Sequence, residues 1–334
     1  MSEAARSLWT NRLSHLAPSL VERIDVVGLG ENSIDHVCLF DGPPSLKGDV
    51  ALDGYADRPG GQIATAVLAC ARLGLRGAYL GSVGGDAAAD QVLTPLREAG
   101  VDLSGVARVR GAVTRSAVIL VDRTSGDRTV LSHRDARLAL APAQFRRDAI
   151  EGARVLLLDA VDPDAAQWAA SIARAAGIPV VLDADRPWPG LETLLGLVDF
   201  PIVARAFAEE LGQTGRVREG LRVLASHGAR LAVVTLGEQG AIACGGADQL
   251  ESPTYKVTVR DTTGAGDAFH AGFIFGLLQG CDAVGCLRFG SAVAAINCQA
   301  WGAQGGLPTR AELERYMGEH EPASGVGIEP IREG

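Results

Sequence analysis

The sequence predicts an α/β protein with a mainly parallel central sheet. Short apolar runs at 24–29, 155–159, 179–183, 202–203 and 231–235 have the composition of buried strands. Helical stretches separate these runs, and such alternation is typical of βαβ units. Segments with a two-residue period at 49–55, 112–121 and 128–133 interrupt the alternation, and the last two flank a credible hairpin turn at 124–127. We therefore expect a small antiparallel layer outside the parallel core.

Composition bounds the class of protein. The chain has 334 residues, of which 47% are hydrophobic and 21% charged, enough to bury a sizeable core. Its net charge of -9 argues against an extended surface for nucleic acid or for an anionic membrane. Six cysteines without a CxxC pair indicate buried free thiols. With neither a signal-peptide pattern nor a membrane-length apolar run, we expect a cytoplasmic protein.

Three segments are expected along the chain. Residues 1–22 form an N-terminal extension with the pattern of a short amphipathic helix. The main domain spans 23–320, and residues 321–334 have the composition of a flexible tail.

The chain is organised around residues 261–272, which read Asp-Thr-Thr-Gly-Ala-Gly-Asp-Ala-Phe-His-Ala-Gly. The preceding run at 255–259 alternates like a strand, and apolar residues at helical spacing follow the glycines. A strand that passes into a helix through glycines leaves the first helical amides unpaired, and anions bind there readily.

Asp267 is the acidic side chain in this turn. A carboxylate at this position could take the proton of an alcohol that attacks a bound phosphoryl group, while the amides stabilise the developing charge. The alternative is that Asp267 only complements the helix dipole, a contribution of about 0.3 to 1 kcal/mol.

The twelve residues at 261–272 closely resemble the C-terminal motif of the ribokinase-like (phosphofructokinase-B) family of sugar and nucleoside kinases. The resemblance covers 24–317 and implies a three-layer α/β/α sandwich with a small antiparallel β lid. It also implies that Gly264, Ala265 and Gly266 form an anion hole and that Asp267 is the catalytic base. ATP and Mg²⁺ are the implied cofactors.

The same resemblance assigns the sugar site. Asp35 matches the family's acidic residue after the first strand, and residues 59–74 resemble the N-terminal motif that contains Gly60 and Gly61. Thr65 stands where the family usually has Asn, and this departure, together with 181–188, is nearer to the sulfofructose-kinase branch. Read without the family, Asp35 could simply cap a turn at a strand end.

The nucleotide site is also implied by resemblance. Residues 233–241 match the family's turn beside ATP and place Thr235, Gly237 and Gly240 along the ribose and phosphates, while Asn297 matches a position at the edge of the adenine pocket. The family's Asn-x-x-Glu pattern, which helps to organise Mg²⁺, is absent at 204–207.

Asp261 and Thr263 match the place where some relatives bind a monovalent cation, so K⁺ is an additional expectation.

The lid strands are expected near 49–56 and 112–133, and in the family this lid often contributes to a homodimer. Arg115, Arg134 and Arg137 lie in or near it. They could contact an anionic substituent of the substrate, such as a sulfonate, or be ordinary solvated arginines.

We therefore expect an ATP-dependent kinase that phosphorylates a hydroxymethyl group of a sugar, with a ketose or a sulfo-sugar among the candidates. A nucleoside kinase of the same fold would need an aromatic or apolar platform for the base. The Gly28 turn leaves open an NAD-binding oxidoreductase, although the third glycine of that fingerprint is absent. A ligand sensor without catalysis is a further alternative.

Overall fold

The computed structural model describes residues 23–42, 51–124, 128–141, 145–213, 215–246 and 248–323. The N-terminal extension and most of the predicted tail lie outside these residues, as do most of the predicted hairpin turn and part of the first predicted lid segment.

A nine-stranded sheet forms the centre of the fold. Its order is β13-β12-β11-β10-β9-β8-β1-β4-β5. Seven neighbouring strands from β11 to β5 are parallel, while β12 and β13 add an antiparallel edge. The strands are β1 (Ile24–Leu29), β4 (Gly77–Gly84), β5 (Asp102–Val109), β8 (Ala153–Leu158), β9 (Val180–Ala184), β10 (Phe200–Ala204), β11 (Ala232–Thr235), β12 (Ala241–Gly245) and β13 (Asp248–Ser252).

Helices cover both faces of this sheet and create two separate hydrophobic cores, which confirms the three-layer architecture. One core contains the sheet side chains that face α1, α8 and α9, and the other contains those that face α4 and α7. The helices are α1 (Gln62–Arg72), α2 (Ala87–Glu98), α3 (Arg147–Glu151), α4 (Pro163–Ala175), α5 (Leu191–Leu195), α6 (Arg205–Leu211), α7 (Val217–Ser226), α8 (Ala265–Leu278), α9 (Ala283–Asn297) and α10 (Arg310–Glu319).

A second, four-stranded sheet stands outside the parallel core, as the two-residue periods predict. It contains β2 (Ser33–Phe40), β3 (Gly54–Gly60), β6 (Ser116–Asp122) and β7 (Arg128–His133), in the order β3-β2-β6-β7. The outer pairs are antiparallel and the central pair β2–β6 is parallel. We call this sheet the lid. The first lid segment lies later than predicted: its strand runs from Gly54 to Gly60 and ends on the glycine pair of the sugar motif.

The strand predicted at 255–259 is wrong. Tyr255 is buried and Lys256 exposed, as alternation predicts, but Val259 is exposed and the segment does not pair with any described strand. The backbone amides of Arg260 and Asp261 instead donate to the carbonyl of Cys298 at the end of α9, at 2.8 and 3.3 Å. Helix α8 is therefore reached through an irregular segment that is fixed by α9.

Candidate active site

The predicted site residues meet at one edge of the large sheet. All seven parallel strands point their carboxyl ends to this edge, which is where α/β proteins bind ligands. Asp159 follows β8, Asp183 lies near the end of β9 and Thr235 ends β11. The lid begins directly after β1, so it carries Asp35 to the same edge.

Helix α8 begins here with the predicted anion-binding turn. Gly264 precedes the helix with a left-handed φ of 76°, and a Cβ at this position would lie 2.4 Å from the carbonyl oxygen of Ala303. Glycine is therefore required by both the backbone and the loop beside it. The Ala265 amide donates to the carbonyl of Thr262 at 3.2 Å, whereas the amides of Gly266 and Asp267 bond to no described residue. The space beside Gly266 is open for 4 Å.

Asp267 lies in the first turn of α8 and is partly exposed, next to these free amides. Burial raises the pKa of its carboxyl well above the usual range, and the neighbouring Asp183 raises it further. Such a group holds a proton more strongly than an ordinary aspartate, which suits a general base.

His270 lies one turn further along α8 than Asp267 and is buried. Its Nδ1 lies 2.8 Å from the carbonyl of Gly266, and its Nε2 lies 3.1 Å from the carbonyl of Ile202. These contacts join α8 to β10, so His270 fixes the orientation of the helix that carries Asp267.

The residues predicted to hold the sugar surround the start of the lid. Asp35 is buried, and Ser33 Oγ donates to its Oδ1 at 2.6 Å. Gly60 and Gly61 pack against this loop so closely that a Cβ on Gly60 would lie 2.0 Å from Asp35 Oδ2. Thr65 is buried in α1 and accepts a hydrogen bond from Gln304 at 3.3 Å. Asp35 is also within electrostatic reach of Asp267.

A narrow cleft with a volume of about 10 Å³, room for about one water molecule, adjoins this loop at the base of the lid. Its polar walls include Glu31, Asn32, Arg115, Arg134 and Asp162. Sequence analysis did not select Glu31, Asn32 or Asp162. The available signal for Asp162 was its place just after a buried strand that ends at this edge.

The predicted nucleotide residues divide into two groups. Thr235, Gly237 and Gly240 lie together at the end of β11, where the turn opens to the carboxyl edge. Asn297 is fully buried: its Nδ2 donates to the carbonyl of Ala303 at 3.0 Å and its Oδ1 accepts from the Gly306 amide at 3.1 Å. In this structure Asn297 holds the loop that packs on Gly264.

Asp261 and Thr263 lie beside the anion-binding turn. The two carboxylate oxygens of Asp261 accept from the amides of Thr263 and Gly302, each at 2.8 Å. Thr263 Oγ1 is buried without a partner among the described residues. An unpartnered oxygen beside a carboxylate fits a monovalent cation.

The turn at Gly28 does not have the architecture of a dinucleotide site. Gly30 leads into strand β2, so no helix begins there. The amides that would bind a pyrophosphate are therefore missing from this turn.

Comparison with known proteins shows the family of the chain. The model of the pfkB family carbohydrate kinases matches residues 23–310. The ribokinase of Bacillus subtilis (strain 168) is 28% identical over 293 residues, which cover 86% of this chain and 98% of the relative.

Solved structures show the same fold. A putative ribokinase from Agrobacterium tumefaciens superposes with a TM-score of 0.81 at 27% identity and covers 89% of this chain and 98% of its own. A putative ribokinase II from E. coli, solved in complex with ATP and Mg²⁺, superposes with a TM-score of 0.77 at 22% identity, covering 89% of this chain and 99% of its own. The family model spans most of the chain, and the protein belongs to the pfkB family of carbohydrate kinases.

Proposed function

We propose that the protein transfers the γ-phosphoryl group of ATP to a hydroxymethyl group of a sugar. The observation that carries this proposal is the position of Asp267, a partly exposed carboxylate with a raised pKa beside two free amides and open space. A base adjacent to an anion site is what phosphoryl transfer to an alcohol requires.

The transfer follows from this arrangement. Asp35, Gly60, Gly61 and Thr65 hold the acceptor with one hydroxymethyl group directed at Asp267. The carboxylate takes the hydroxyl proton while the hydroxyl oxygen forms a bond to the γ-phosphorus. The bond from that phosphorus to the bridging oxygen breaks, and ADP leaves with its electron pair. Amides of the Gly264–Gly266 turn stabilise the charge on the transferred group.

Mg²⁺ fits the carboxylates near the end of β9. Asp183 and Asp185 are close enough to Asp267 for both to raise its pKa. Within the described residues, His, Cys, Asp and Glu side chains form no cluster that could bind a metal unaided. Asp183 and Asp185 would therefore hold an ion whose other ligands are phosphate and water oxygens, as is common for Mg²⁺. When bound, Mg²⁺ neutralises phosphate charge.

We assign ATP to the turn of Thr235, Gly237 and Gly240, with Asn297 supporting the adjoining loop. Asp261 and Thr263 would hold K⁺.

A homodimer through the lid and a cytoplasmic location remain proposals. Edge strand β7 exposes Val130 and Leu131, and Tyr55 is exposed on β3, which supports a partner at the lid. Size-exclusion chromatography with light scattering on Leu131→Asp tests the dimer: the variant should be monomeric. Among the described residues no helix has the length and apolar character needed to span a membrane.

A coupled ADP-release assay tests the proposed activity. Purified protein with MgATP is presented with aldoses, ketoses, sulfo-sugars and nucleosides. We expect acceptor-dependent ADP release with at least one sugar and a phosphomonoester product. Tight sugar binding without ADP release would instead identify a sensor.

A further inference from the structure

Strand β7 of the lid is tied to the anion-binding turn by one side chain. β7 is an edge strand of the lid and is exposed along its length. Its first residue, Arg128, donates from Nη1 to Thr262 Oγ1. Of the described side chains of β7, Arg128 alone forms a hydrogen bond outside the lid. Thr262 lies at the start of the anion-binding turn, and its carbonyl accepts from the amide of Ala265, the first residue of α8.

Arg128 projects from the same face of the lid as Asp35. Along β2 the side chains of Asp35 and Leu39 lie on one face, because the two residues are four positions apart in a strand. Leu39 is opposite Val121 of β6, and Val121 is opposite Arg128 of β7. Residues directly opposite each other point to the same face of a sheet. One face of the lid therefore carries both the carboxylate proposed to hold the acceptor and the guanidinium that reaches the anion-binding turn.

The opposite edge of the lid rests on the loop that adjoins this turn. Arg58 of β3 lies so close to Gly302 that a Cβ on this glycine would be 3.2 Å from Arg58 Cγ. The Gly302 amide donates to Asp261 Oδ2 at 2.8 Å, so the loop is bonded to the start of the motif that contains the turn. Both edges of the lid therefore contact the two segments that build the anion-binding turn.

Arg128 has no carboxylate partner among the described residues, unlike four other arginines in or beside the lid. Those four pairs are Arg115–Glu31, Arg123–Asp41, Arg134–Asp162 and Arg137–Asp135. The Arg128 guanidinium also lies near Cys298: burial raises the pKa of this thiol to about 11, and the guanidinium lowers it. The side chain of Arg128 is therefore directed to the segments around the anion-binding turn, where Thr262 fixes it, and not to an ion pair within the lid.

We infer that Arg128 is a positioning residue for phosphoryl transfer and that it acts through Thr262. The contact fixes the distance between Asp35, which holds the acceptor, and the turn that holds the phosphoryl group. A displacement of about 1 Å between reacting groups can lower a rate by about 10²-fold, so this distance sets turnover. The role requires no contact between Arg128 and either substrate. The inference rests on the proposed kinase function, because it assigns a residue to that reaction.

A double-mutant cycle tests the inference. Arg128→Gln removes the guanidinium, and Thr262→Val removes the acceptor while it keeps the shape of the side chain. We expect each variant to lower kcat by about five- to tenfold, the scale of one hydrogen bond to a charged group, and to leave the KM for ATP within about twofold of wild type. The double variant should be no slower than either single variant, because both remove the same contact. Additive losses, or a wild-type kcat in Thr262→Val, would overturn the inference.

Arg123→Gln is the matched control. Arg123 directly follows β6, at the same end of the lid as Arg128, but it pairs with Asp41 at 3.0 Å and not with the anion-binding turn. This variant loses the same charge from the lid, and its kcat should equal that of wild type. Melting temperatures of all variants should lie near wild type, because both arginines are exposed. A loss of kcat in Arg123→Gln as large as that in Arg128→Gln would contradict the assignment.

Hydrogen exchange measured by mass spectrometry tests the contact without turnover and separates this inference from the kinase proposal. Peptides over 128–133 and 261–265 should exchange faster in Arg128→Gln and in Thr262→Val than in wild type, but not in Arg123→Gln. Wild-type turnover with unchanged kcat and exchange in the first two variants would refute this inference and leave the kinase proposal intact. Absence of ADP release by wild type would refute the kinase proposal, and faster exchange in both variants would then still uphold the contact between the lid and the turn.

Discussion

Two buried aspartates lie at opposite ends of neighbouring strands and differ in how their charge is satisfied. Asp199 precedes β10 at the amino edge of the sheet. Its carboxylate accepts from the Val180 amide at 2.9 Å and pairs with Arg230 at 2.7 Å. Asp183 lies near the carboxyl end of β9 and forms no ion pair with an arginine or lysine of the described residues; its carboxylate lies 3.7 Å from Nδ1 of His270, whose pKa burial lowers.

The two environments have different consequences. Burial raises the pKa of Asp183 well above the usual range, and nearby Asp185 and Asp159 raise it further. A carboxylate that the fold leaves uncompensated is available to a cation, a proton or a ligand, whereas one that is fully bonded stabilises the structure. The carboxyl edge is therefore organised for chemistry and the amino edge for stability.

The largest effect is expected at the carboxyl edge. Asp267→Asn should lower kcat by about 10²- to 10⁴-fold, because the amide cannot accept the hydroxyl proton. ATP affinity and the melting temperature should remain close to wild type, since Asn replaces a carboxyl whose ionisation the fold disfavours. Steady-state kinetics, calorimetry and thermal unfolding measure the three quantities.

Asp282→Asn is the control for that variant. Asp282 caps α9 and accepts from the Gly285 amide at 2.9 Å, a bond that Asn can also accept. Its turnover should be unchanged. Turnover near wild type in Asp267→Asn would contradict the conclusion that the carboxyl edge of the sheet is organised for chemistry.

A smaller effect is expected at the amino edge. Asp199→Ala should lower the free energy of unfolding by about 2 kcal/mol, because the buried Val180 amide loses its acceptor. The kcat of the folded fraction should not change. Urea unfolding measures the loss, and Asp199→Asn, which keeps an acceptor oxygen, should lose less. A large fall in kcat without a loss of stability would show that this edge also participates in chemistry.

The smallest effect is a dependence of stability on pH. Glu31 and Asp159 hold protons in the folded protein up to about pH 8 and about pH 7, well above their ordinary values of 4.5 and 3.8. Their raised pKa values contribute stability that is complete below those ordinary values and is lost as pH rises through the folded values. The free energy of unfolding should therefore fall, by at least about 1 kcal/mol, as pH rises from about 5 to about 8, between the ordinary and the folded pKa values.

The sign is opposite for His270. Burial lowers the pKa of this histidine, so its contribution is present above its ordinary value of 6.5 and is lost as pH falls. Urea unfolding at several pH values tests the contributions of the two carboxyl groups and of His270. Asp159→Asn should reduce the fall of stability between about pH 5 and about pH 8, and an unaltered slope in this variant would contradict the assignment.

Local pattern predicted much of the fold. Buried strands and helical spacing indicated the parallel sheet, and the two-residue period placed β7 correctly at Arg128–His133. Alternation failed at 255–259 because a strand also needs a neighbour, and whether one is within reach depends on the folded chain.

The site was predictable where one short segment contains its chemistry. Gly264, Gly266 and Asp267 lie within one turn of each other, and their resemblance to a known motif identified them. The pairs Arg115–Glu31 and Arg134–Asp162 join segments that are distant in sequence, so no local pattern marks them. The sequence thus left open whether the arginines contact an anion, and their pairing became visible only in the fold.

The most direct test follows a radiolabelled γ-phosphoryl group from ATP through a single turnover. With wild-type protein and an accepted sugar, the label should pass directly to the hydroxymethyl oxygen, and none should remain on the protein. With Asp267→Asn, the label should stay on bound ATP over the same interval. A labelled protein intermediate, or transfer by the variant at the wild-type rate, would contradict the role of Asp267 as the base.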